Sequence, residues 1–499
     1  GRRGGRRLRA GVDLPASGGE KGPRPFQALH ARAVVVVGHG RSLAASPPPR
    51  QGRRLNPLAR PAPPWHDRGM NHDTPDARAA ALDLLQGVIR RKQALDQQMT
   101  GGAFAALDPR GRAFAHNLVA TTLRRLGQID ALISSCLEKP LPPNARTAQD
   151  ILRLGAAQLL FTGTADHAAV DTAVDLARAR GQGRLAKLVN AVLRRLQREG
   201  AAALTAQDAA RLNTPDWLWR AWEAAYGAET CRAIADIHLA PAPLDITVKE
   251  DAAGWAARLG GQALSDRSLR LSDAAPVPEL PGFAEGAWWV QDRAAALPVR
   301  LLGDVTGQNI LDLCAAPGGK TAQLAAAGAR VTALDRSDKR LDILARNMDR
   351  LGLRAETVAA DALSWNPPAP FDAALLDAPC SATGTIRRHP DLPHLKGPED
   401  TAKLADLQDR LLARASDWVR PGGVLVFATC SLQPEEGVER IRAFLARHPG
   451  FTAEATTPGE SGITPEMVSA EGWLRTLPSM AAEIGGMDGF FAAALRRIA

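Results

Sequence analysis

From about residue 74 to residue 200, apolar residues return every three or four positions, the period of helices with one buried face. Thr74-Pro75 offers an N-cap followed by proline at the first helical position. Leu82, Leu85, Val88 and Ile89 then share one face. Asp108-Pro109 opens a second segment carrying Phe114, Leu118, Leu123 and Leu126. Further helices are expected over 148–161, 168–178 and 185–196. Alternating β-branched runs are almost lacking, so 70–200 reads as an all-α domain ending near Gly200. By contrast, 1–69 shows no periodicity and is rich in Arg, Gly and Pro, the pattern of a disordered leader. Met70 stands just before the first helical signal. A leader outside the folded protein is the plainest reading, with an RNA-binding arm or an Arg-rich transit peptide as alternatives.

Thr214-Pro215 starts another helix, whose Trp217, Trp219, Trp222 and Tyr226 are expected in a core. Leu244–Val248 alternates like a strand, and a helix near 255–259 and a strand at Ser268–Leu271 follow. Together 201–299 forms a small α+β module, an RNA-binding or linker unit. Beyond residue 300 the pattern alternates between short apolar runs and helical stretches, which predicts a doubly wound, Rossmann-like α/β domain over 300–499. Strands are expected at Asn309–Leu313, 330–334, 355–359, 371–376 and 423–428, and helices at 321–327, 339–350, 401–419 and 435–446. A last antiparallel edge strand is expected at 490–494, giving six to seven strands.

At 499 residues the chain exceeds what one core holds. No apolar run approaches the roughly 18 residues of a membrane span, and Ala33-Val34-Val35-Val36-Val37-Gly38 is far too short. The five cysteines are widely spaced and form no CxxC pair, which argues against a disulfide framework or a zinc site and for a reducing, cytoplasmic setting. The net charge of +9 is uneven. Residues 1–69 hold 14 basic against 3 acidic residues, a surplus of +11. Residues 70–200 hold 18 against 12, a surplus of +6, and the remainder carries −8. A polyanion footprint therefore belongs on the helical domain. Its clusters, including Arg90-Arg91-Lys92, Arg124-Arg125 and Arg194-Arg195, suit either a solvated face or RNA contact.

The chain is organised around Asn309-Ile310-Leu311-Asp312-Leu313-Cys314-Ala315-Ala316-Pro317-Gly318-Gly319-Lys320-Thr321, a strand, a tight turn and a helix start. Such a junction presents backbone N–H groups to a nucleotide-like ligand. A triphosphate loop would need glycine at 314, which is Cys, and no GxGxxG is present. S-adenosylmethionine fits better. It needs close backbone approach along Cys314 to Lys320 and carboxylates at strand ends. Asp335 ends the second strand, Asp361 follows the third, and Asp377 ends the fourth.

Cys380 and Cys430 follow the fourth and fifth strands, at the ligand edge of the sheet. Cytosine C5 is too electron-poor to take a sulfonium methyl unaided. A thiolate adding to C6 turns C5 into a nucleophile, which explains a need for thiols there. Asp377 lies near both cysteines, able to hydrogen-bond the base edge or to protonate N3. On residues alone either cysteine could attack, since DNA cytosine-5 methyltransferases use the cysteine of a Pro-Cys pair and Cys380 follows Pro379.

The segments Asp312-Leu313-Cys314-Ala315-Ala316-Pro317-Gly318-Gly319-Lys320-Thr321, Asp377-Ala378-Pro379-Cys380-Ser381 and Thr429-Cys430-Ser431, in this order, resemble the Sun/Nop family of RNA (cytosine-5) methyltransferases. The helical domain resembles NusB-like RNA-binding domains, and Gly485-Gly486-Met487-Asp488-Gly489-Phe490-Phe491 resembles the family's last motif. The resemblance covers about 74–499. It implies a class I S-adenosylmethionine-dependent methyltransferase acting as a monomer on small-subunit (16S) ribosomal RNA, with transfer RNA as the nearer rival and a non-catalytic RNA scaffold as the farther one. It implies that Cys430 is the nucleophile and that Cys380 assists product release. It also implies that Cys314, Ala315, Ala316, Pro317, Gly318, Gly319, Lys320, Asp335, Asp361 and Asp377 line the cofactor site, with Lys320 orienting the donor or Asp377. Ala382 stands where many members carry Gly. Arg387 and Arg388, after the Cys380 loop, are expected to meet RNA phosphates, as are Arg124 and Arg125, with the target base unstacked to reach the cysteines.

Overall fold

The computed structural model describes residues 76–272, 275–459 and 462–498. The leader and the Thr74-Pro75 helix start lie outside them. The first described helix, Ala77–Arg91, is capped instead by Asp76, whose carboxylate accepts from the Arg78 N–H at 2.9 Å. Pro109–Arg124 begins as expected, with Asp108 at the cap and proline in the first turn. Helices Leu126–Ser135, Arg146–Leu160, Asp166–Ala179 and Ala186–Thr205 complete a bundle around Leu82, Leu85, Leu118, Ile151 and Leu193. The last of these runs past Gly200, because Ala203 and Leu204 still pack on the bundle core. Two more helices, Ala209–Asn213 and Asp216–Ile237, precede the first strand. Trp222 is core, sealed among Leu218, Ile234, Ile386 and Leu432. It ties the helical region to the α/β domain through an Nε1–H bond to Gln433 Oε1 of 2.9 Å.

Strands β1 (Leu244–Val248), β2 (Gln262–Ala263), β3 (Ser268–Leu271) and β4 (Trp288–Val290) form an antiparallel sheet in the order β2-β3-β1-β4, covered by helix Ala252–Leu259. β4 was not expected from the sequence. Its two tryptophans bury on opposite sides, in two different cores.

The α/β domain carries β5 (Asn309–Leu313), β6 (Arg330–Asp335), β7 (Glu356–Ala359), β8 (Phe371–Asp377), β9 (Val419–Thr429), β10 (Phe451–Glu454), β11 (Leu474–Arg475) and β12 (Phe491–Arg497). The sheet order is β10-β12-β9-β8-β5-β6-β7, with β11 beside β12. β5 to β9 run parallel. The chain lays β6 and β7 on one side of β5, then crosses to lay β8 and β9 on the other. The crevice at such a switch point, above the carboxyl ends of β5 and β8, is where open α/β sheets take ligands. Leu376, Phe427 and Leu495 face Leu411, Leu412 and Phe444 on one side. Leu375, Val426 and Ala492 face Leu297 and Leu324 on the other, the two-residue period of strands buried on both faces. β12 is antiparallel, as expected, but it is not at the edge. β10 pairs outside it, from Phe451 opposite Arg497 to Glu454 opposite Ala494, and β10 lacked a legible signal of its own.

Candidate active site

β5 ends at Leu313, and Cys314 turns the chain with φ of +60°. Gly318, at φ +103°, caps helix Gly319–Ala326; a Cβ there would come within 2.8 Å of Leu344 Cγ, so only glycine fits. Beneath the turn, the Thr321 hydroxyl donates to Asp312 Oδ2 at 2.6 Å. Asp312 is fully buried, and burial pushes its carboxyl up to about 7, with the Thr321 bond opposing and the nearby Asp377 charge adding. Its Oδ1 is a buried acceptor with no partner. An orphan acceptor at a strand end under exposed backbone suits a ligand bearing a cationic donor, as the ammonium group of S-adenosylmethionine would be.

Asp335 ends β6 and accepts from the N–H groups of Ala316 at 3.3 Å and Ser337 at 3.0 Å, with Arg340 paired at 3.2 Å. It is buried, and it fastens the Cys314–Lys320 turn to the second strand. One strand further, Asp361 is exposed; one oxygen accepts from the Leu363 N–H at 2.9 Å and the carboxylate faces solvent. Asp377 ends β8, where Lys320 Nζ donates to it at 2.7 Å. Burial works against the Lys320 charge, but Asp377 outweighs it and the net shift is upward. The ammonium also lies 5.0 Å from the centre of the Phe490 ring. Cys314 is no nucleophile: burial, with Asp377 and Asp335 adding, pushes its thiol up to about 12.

The loops after β8 and β9 bring Cys380 Sγ and Cys430 Sγ to 3.4 Å. The hydrogen bond with Cys430, then burial, pushes the Cys380 thiol well above its ordinary range. Ala382 adopts φ of +59°, a left-handed conformation costing a side-chain-bearing residue roughly 1 kcal/mol, which explains glycine at this turn in the motif it resembles. The loop closes on the tail motif: Gly489 N–H donates to the Gly384 carbonyl at 2.8 Å, and a Cβ on Gly384 would overlap that backbone.

One residue of this site escaped the sequence reading. Glu436 is fully buried and joins the two cysteine loops. It accepts from Ser381 N–H at 2.8 Å, from the Ser381 hydroxyl, from the Ser431 hydroxyl at 2.6 Å and from Gln408 at 3.2 Å. The only signal was Glu435-Glu436 shortly after Thr429-Cys430-Ser431, and nothing in the chain tells the exposed member of that pair from the buried one.

The expected phosphate-binding arginines are placed differently. Arg387 is 1 % exposed and holds Asp292 at 3.1 Å, Asp488 at 3.5 Å and the Gly485 carbonyl at 2.5 Å, which leaves it unavailable to RNA. Arg388 grips Asp488 through Nε at 2.9 Å but keeps its side chain 39 % exposed, open to a ligand. Burial and Asp292 push Asp488 up to about 6, with Arg388 opposing. Arg124 donates to the Arg387 carbonyl at 2.9 Å, and burial, with Arg125 beside it, brings its pKa down to about 10. Arg125 donates to the Leu239 carbonyl at 2.9 Å and lies over Phe161. Arg124 therefore joins the helical domain to the α/β domain, Arg125 ties it to the segment after helix Asp216–Ile237, and Arg387 braces Asp292 against the tail loop at 485–488. In the bundle, Arg90 pairs with Asp150, and Arg195 with Glu199 at 2.8 Å.

Comparison with known proteins agrees with this architecture. Residues 299–496 match the family model described as 16S rRNA methyltransferase RsmB/F, and residues 75–198 match the NusB family. The chain is 37% identical over 403 residues to ribosomal RNA small subunit methyltransferase B of Klebsiella pneumoniae subsp. pneumoniae, covering 77% of this chain and 93% of that protein. It is 37% identical over 441 residues to the protein of the same name from Pseudomonas putida, covering 85% and 98%. Among solved structures, the crystal structure of PH0851 superposes with a TM-score of 0.66 at 22% identity, covering 86% of this chain and all of that one, a likeness of fold. Among the described residues, no helix is long and apolar enough to cross a membrane.

Proposed function

Since this chain belongs to the family of 16S rRNA methyltransferases RsmB/F, we propose that it methylates C5 of a cytosine in small-subunit ribosomal RNA, using S-adenosylmethionine and a covalent bond between Cys430 and C6. The observation that carries this reading is the pair of thiols 3.4 Å apart at the carboxyl ends of β8 and β9, beside the Lys320–Asp377 pair. S-adenosylmethionine, when bound, supplies an electrophilic methyl group on a sulfonium. The Cys314–Lys320 turn, Asp335, Asp361 and Asp377 are the residues that would hold it.

The cysteines divide the work. Cys380, whose thiol is pushed up by the hydrogen bond with Cys430 and by burial, keeps its proton, and Cys430, in the Thr429-Cys430-Ser431 motif, attacks. The Cys430 sulfur forms a bond to C6, and the displaced π electrons make C5 nucleophilic. Asp377, oriented by Lys320, hydrogen-bonds the base edge or protonates N3. C5 gains the methyl and gives its proton to a base, and the S–C6 electrons return to Cys430. Cys380, within reach of that sulfur, assists the release. Glu436 holds both loops so that the sulfurs stay opposed. Arg388, partly exposed beside the pair, contacts an RNA phosphate.

The test is transfer of labelled methyl to 16S rRNA by the purified chain, with bisulfite sequencing of the product. A single 5-methylcytosine in 16S rRNA is expected. Label only in transfer RNA would move the substrate, and label on another atom would overturn the reaction.

A further inference from the structure

A cleft of about 220 Å³ opens beside the Cys430 loop, between helix Asp216–Ile237 and the loop leading into β11. Tyr226, Pro434, Val438, Glu471 and Arg475 line it. That space exceeds a single water's share of roughly 30 Å³ several times over. Arg475 is the unusual member. Its half-buried side chain lies over the Phe491 ring, 5.0 Å from the centre, and one nitrogen donates to the Ser431 carbonyl at 2.6 Å. Among the described residues it has no carboxylate within ion-pair distance, although its neighbours do: Arg440 holds Asp409 at 3.0 Å and Arg442 holds Glu471. The cleft's one carboxylate, Glu471, is thus already paired, and Ser469 donates to it as well.

A guanidinium carries five donors in a planar fork suited to an oxyanion. Here a single one is used by a carbonyl, in a site where burial disfavours the bare charge. The cleft is also wired to the nucleophile loop. Arg475 holds the carbonyl of Ser431, and the Tyr226 hydroxyl donates to that of Leu432 at 2.5 Å, the two residues that follow Cys430.

We propose that this cleft binds a phosphate of the RNA strand carrying the target cytosine, with Arg475 as its ligand. The inference rests on the RNA substrate proposed above. Phosphate at Arg475 would register the strand against the loop that presents Cys430, and neither motif cysteine nor the cofactor turn supplies such an anchor.

The test measures binding of the full chain to a short single-stranded RNA containing cytidine, by fluorescence anisotropy across a salt series. Arg475→Gln removes the charge. Ala225→Glu, at an exposed position of the cleft wall, adds a repelling carboxylate while leaving the Arg475–Ser431 bond in place. Both variants are expected to weaken RNA binding about tenfold, with the log–log salt slope of Arg475→Gln shallower by about 0.7, one phosphate contact on a single strand. S-adenosylhomocysteine binding should not change in either. Unchanged RNA affinity in both variants overturns the proposal. So does a loss confined to Arg475→Gln, which would report a displaced loop. Inorganic phosphate forms a second arm: calorimetric binding that Arg475→Gln abolishes, with RNA affinity unaltered, would assign the cleft to free phosphate and overturn the RNA reading. Variant-sensitive RNA binding by a chain that makes no 5-methylcytosine would sink the proposed reaction and leave the cleft standing.

Discussion

Cys380 Sγ stands 3.4 Å from Cys430 Sγ, although 50 positions of chain and a complete strand crossing lie between them. Only one of the two sulfurs can attack a given carbon, and their environments differ. The Cys430 hydrogen bond, burial and the Glu436 charge all push the Cys380 thiol up, which leaves Cys430 as the expected nucleophile. Cys430→Ala is therefore expected to abolish methyl transfer and adduct formation together. Cys380→Ala should still form the adduct but fail to discharge it, leaving a protein–RNA band that survives denaturing gel electrophoresis. If the two variants exchanged these phenotypes, Cys380 would be the nucleophile.

Glu436 offers a separate handle on the same geometry. Its carboxylate takes bonds from both cysteine loops and from Gln408, and among the described residues no cation lies within ion-pair distance of it. Glu436→Gln replaces one acceptor oxygen by a donor facing a hydroxyl, which should cost about 2–3 kcal/mol in denaturant-melt stability. Single-turnover adduct formation should slow more than tenfold, an order-of-magnitude consequence of misplacing reacting atoms, while S-adenosylhomocysteine affinity stays near that of the wild type. A parallel loss of ligand affinity would mean that the change reaches beyond the cysteine loops.

Lys320 and Asp377 form the other fixed contact of the crevice, at 2.7 Å. Lys320→Met leaves Asp377 without its cation. Asp377 is about a third exposed at 31%, so the expected stability loss is modest, about 1–3 kcal/mol. Calorimetry should show weakened S-adenosylhomocysteine binding, because the turn and the fourth strand are no longer tied. Unaltered binding would remove Lys320 from the cofactor site.

Asp312 makes stability depend on pH in a direction opposite to ordinary carboxylates. Burial raises its carboxyl from 3.8 to about 7 in the folded protein. Between those values the native state holds a proton that the unfolded chain has released. Its contribution is complete below about pH 4 and is lost as pH rises through 7. Asp312→Asn removes that dependence. Relative to wild type, the variant should gain roughly 2–3 kcal/mol on moving from pH 5 to pH 8, read from paired denaturation curves. A constant difference between the two proteins would refute the buried proton.

Arg387 and Arg388 are adjacent in sequence and opposite in consequence. Arg387 sits in a buried cluster with Asp292 and Asp488, so Arg387→Met should cost about 3–5 kcal/mol of stability. At temperatures where it remains folded, the salt slope of RNA binding should not move. Arg388→Met should instead flatten that slope and leave most of the stability. The reverse pattern would return Arg387 to the RNA surface.

The helical region, the alternating α/β domain and the positions of the five parallel strands were legible because one face of each element must be apolar at a fixed period. Lys320, Asp377, Cys380 and Cys430 were legible because a tight turn or a strand end holds them, and a doubly wound sheet sends all such ends to one edge. β2, β4 and β11 were not legible, since strands of two or three residues carry too few periods to announce themselves, and β10 holds Phe451 as its single large apolar residue. β12 was found but placed at the edge; its Ala492-Ala493-Ala494 run suits an internal strand as well as an outer one, and pairing partners are chosen by the whole sheet.

What the amino-acid order determined alone was therefore local: periods, caps, the turn at 314–320 and which residue types end each strand. Tertiary structure decided which charges meet. Arg387 became a buried strut because Asp292 and Asp488, 196 positions apart in the chain, meet at its guanidinium. Glu436 became the clamp of the cysteine loops while Glu435 stayed in solvent. Arg475 was left without a carboxylate although its neighbours found theirs. A side chain's periodicity shows whether it turns inward, but the free energy of a charge depends on the partners and dielectric it meets there, and those are set only when distant segments close around it.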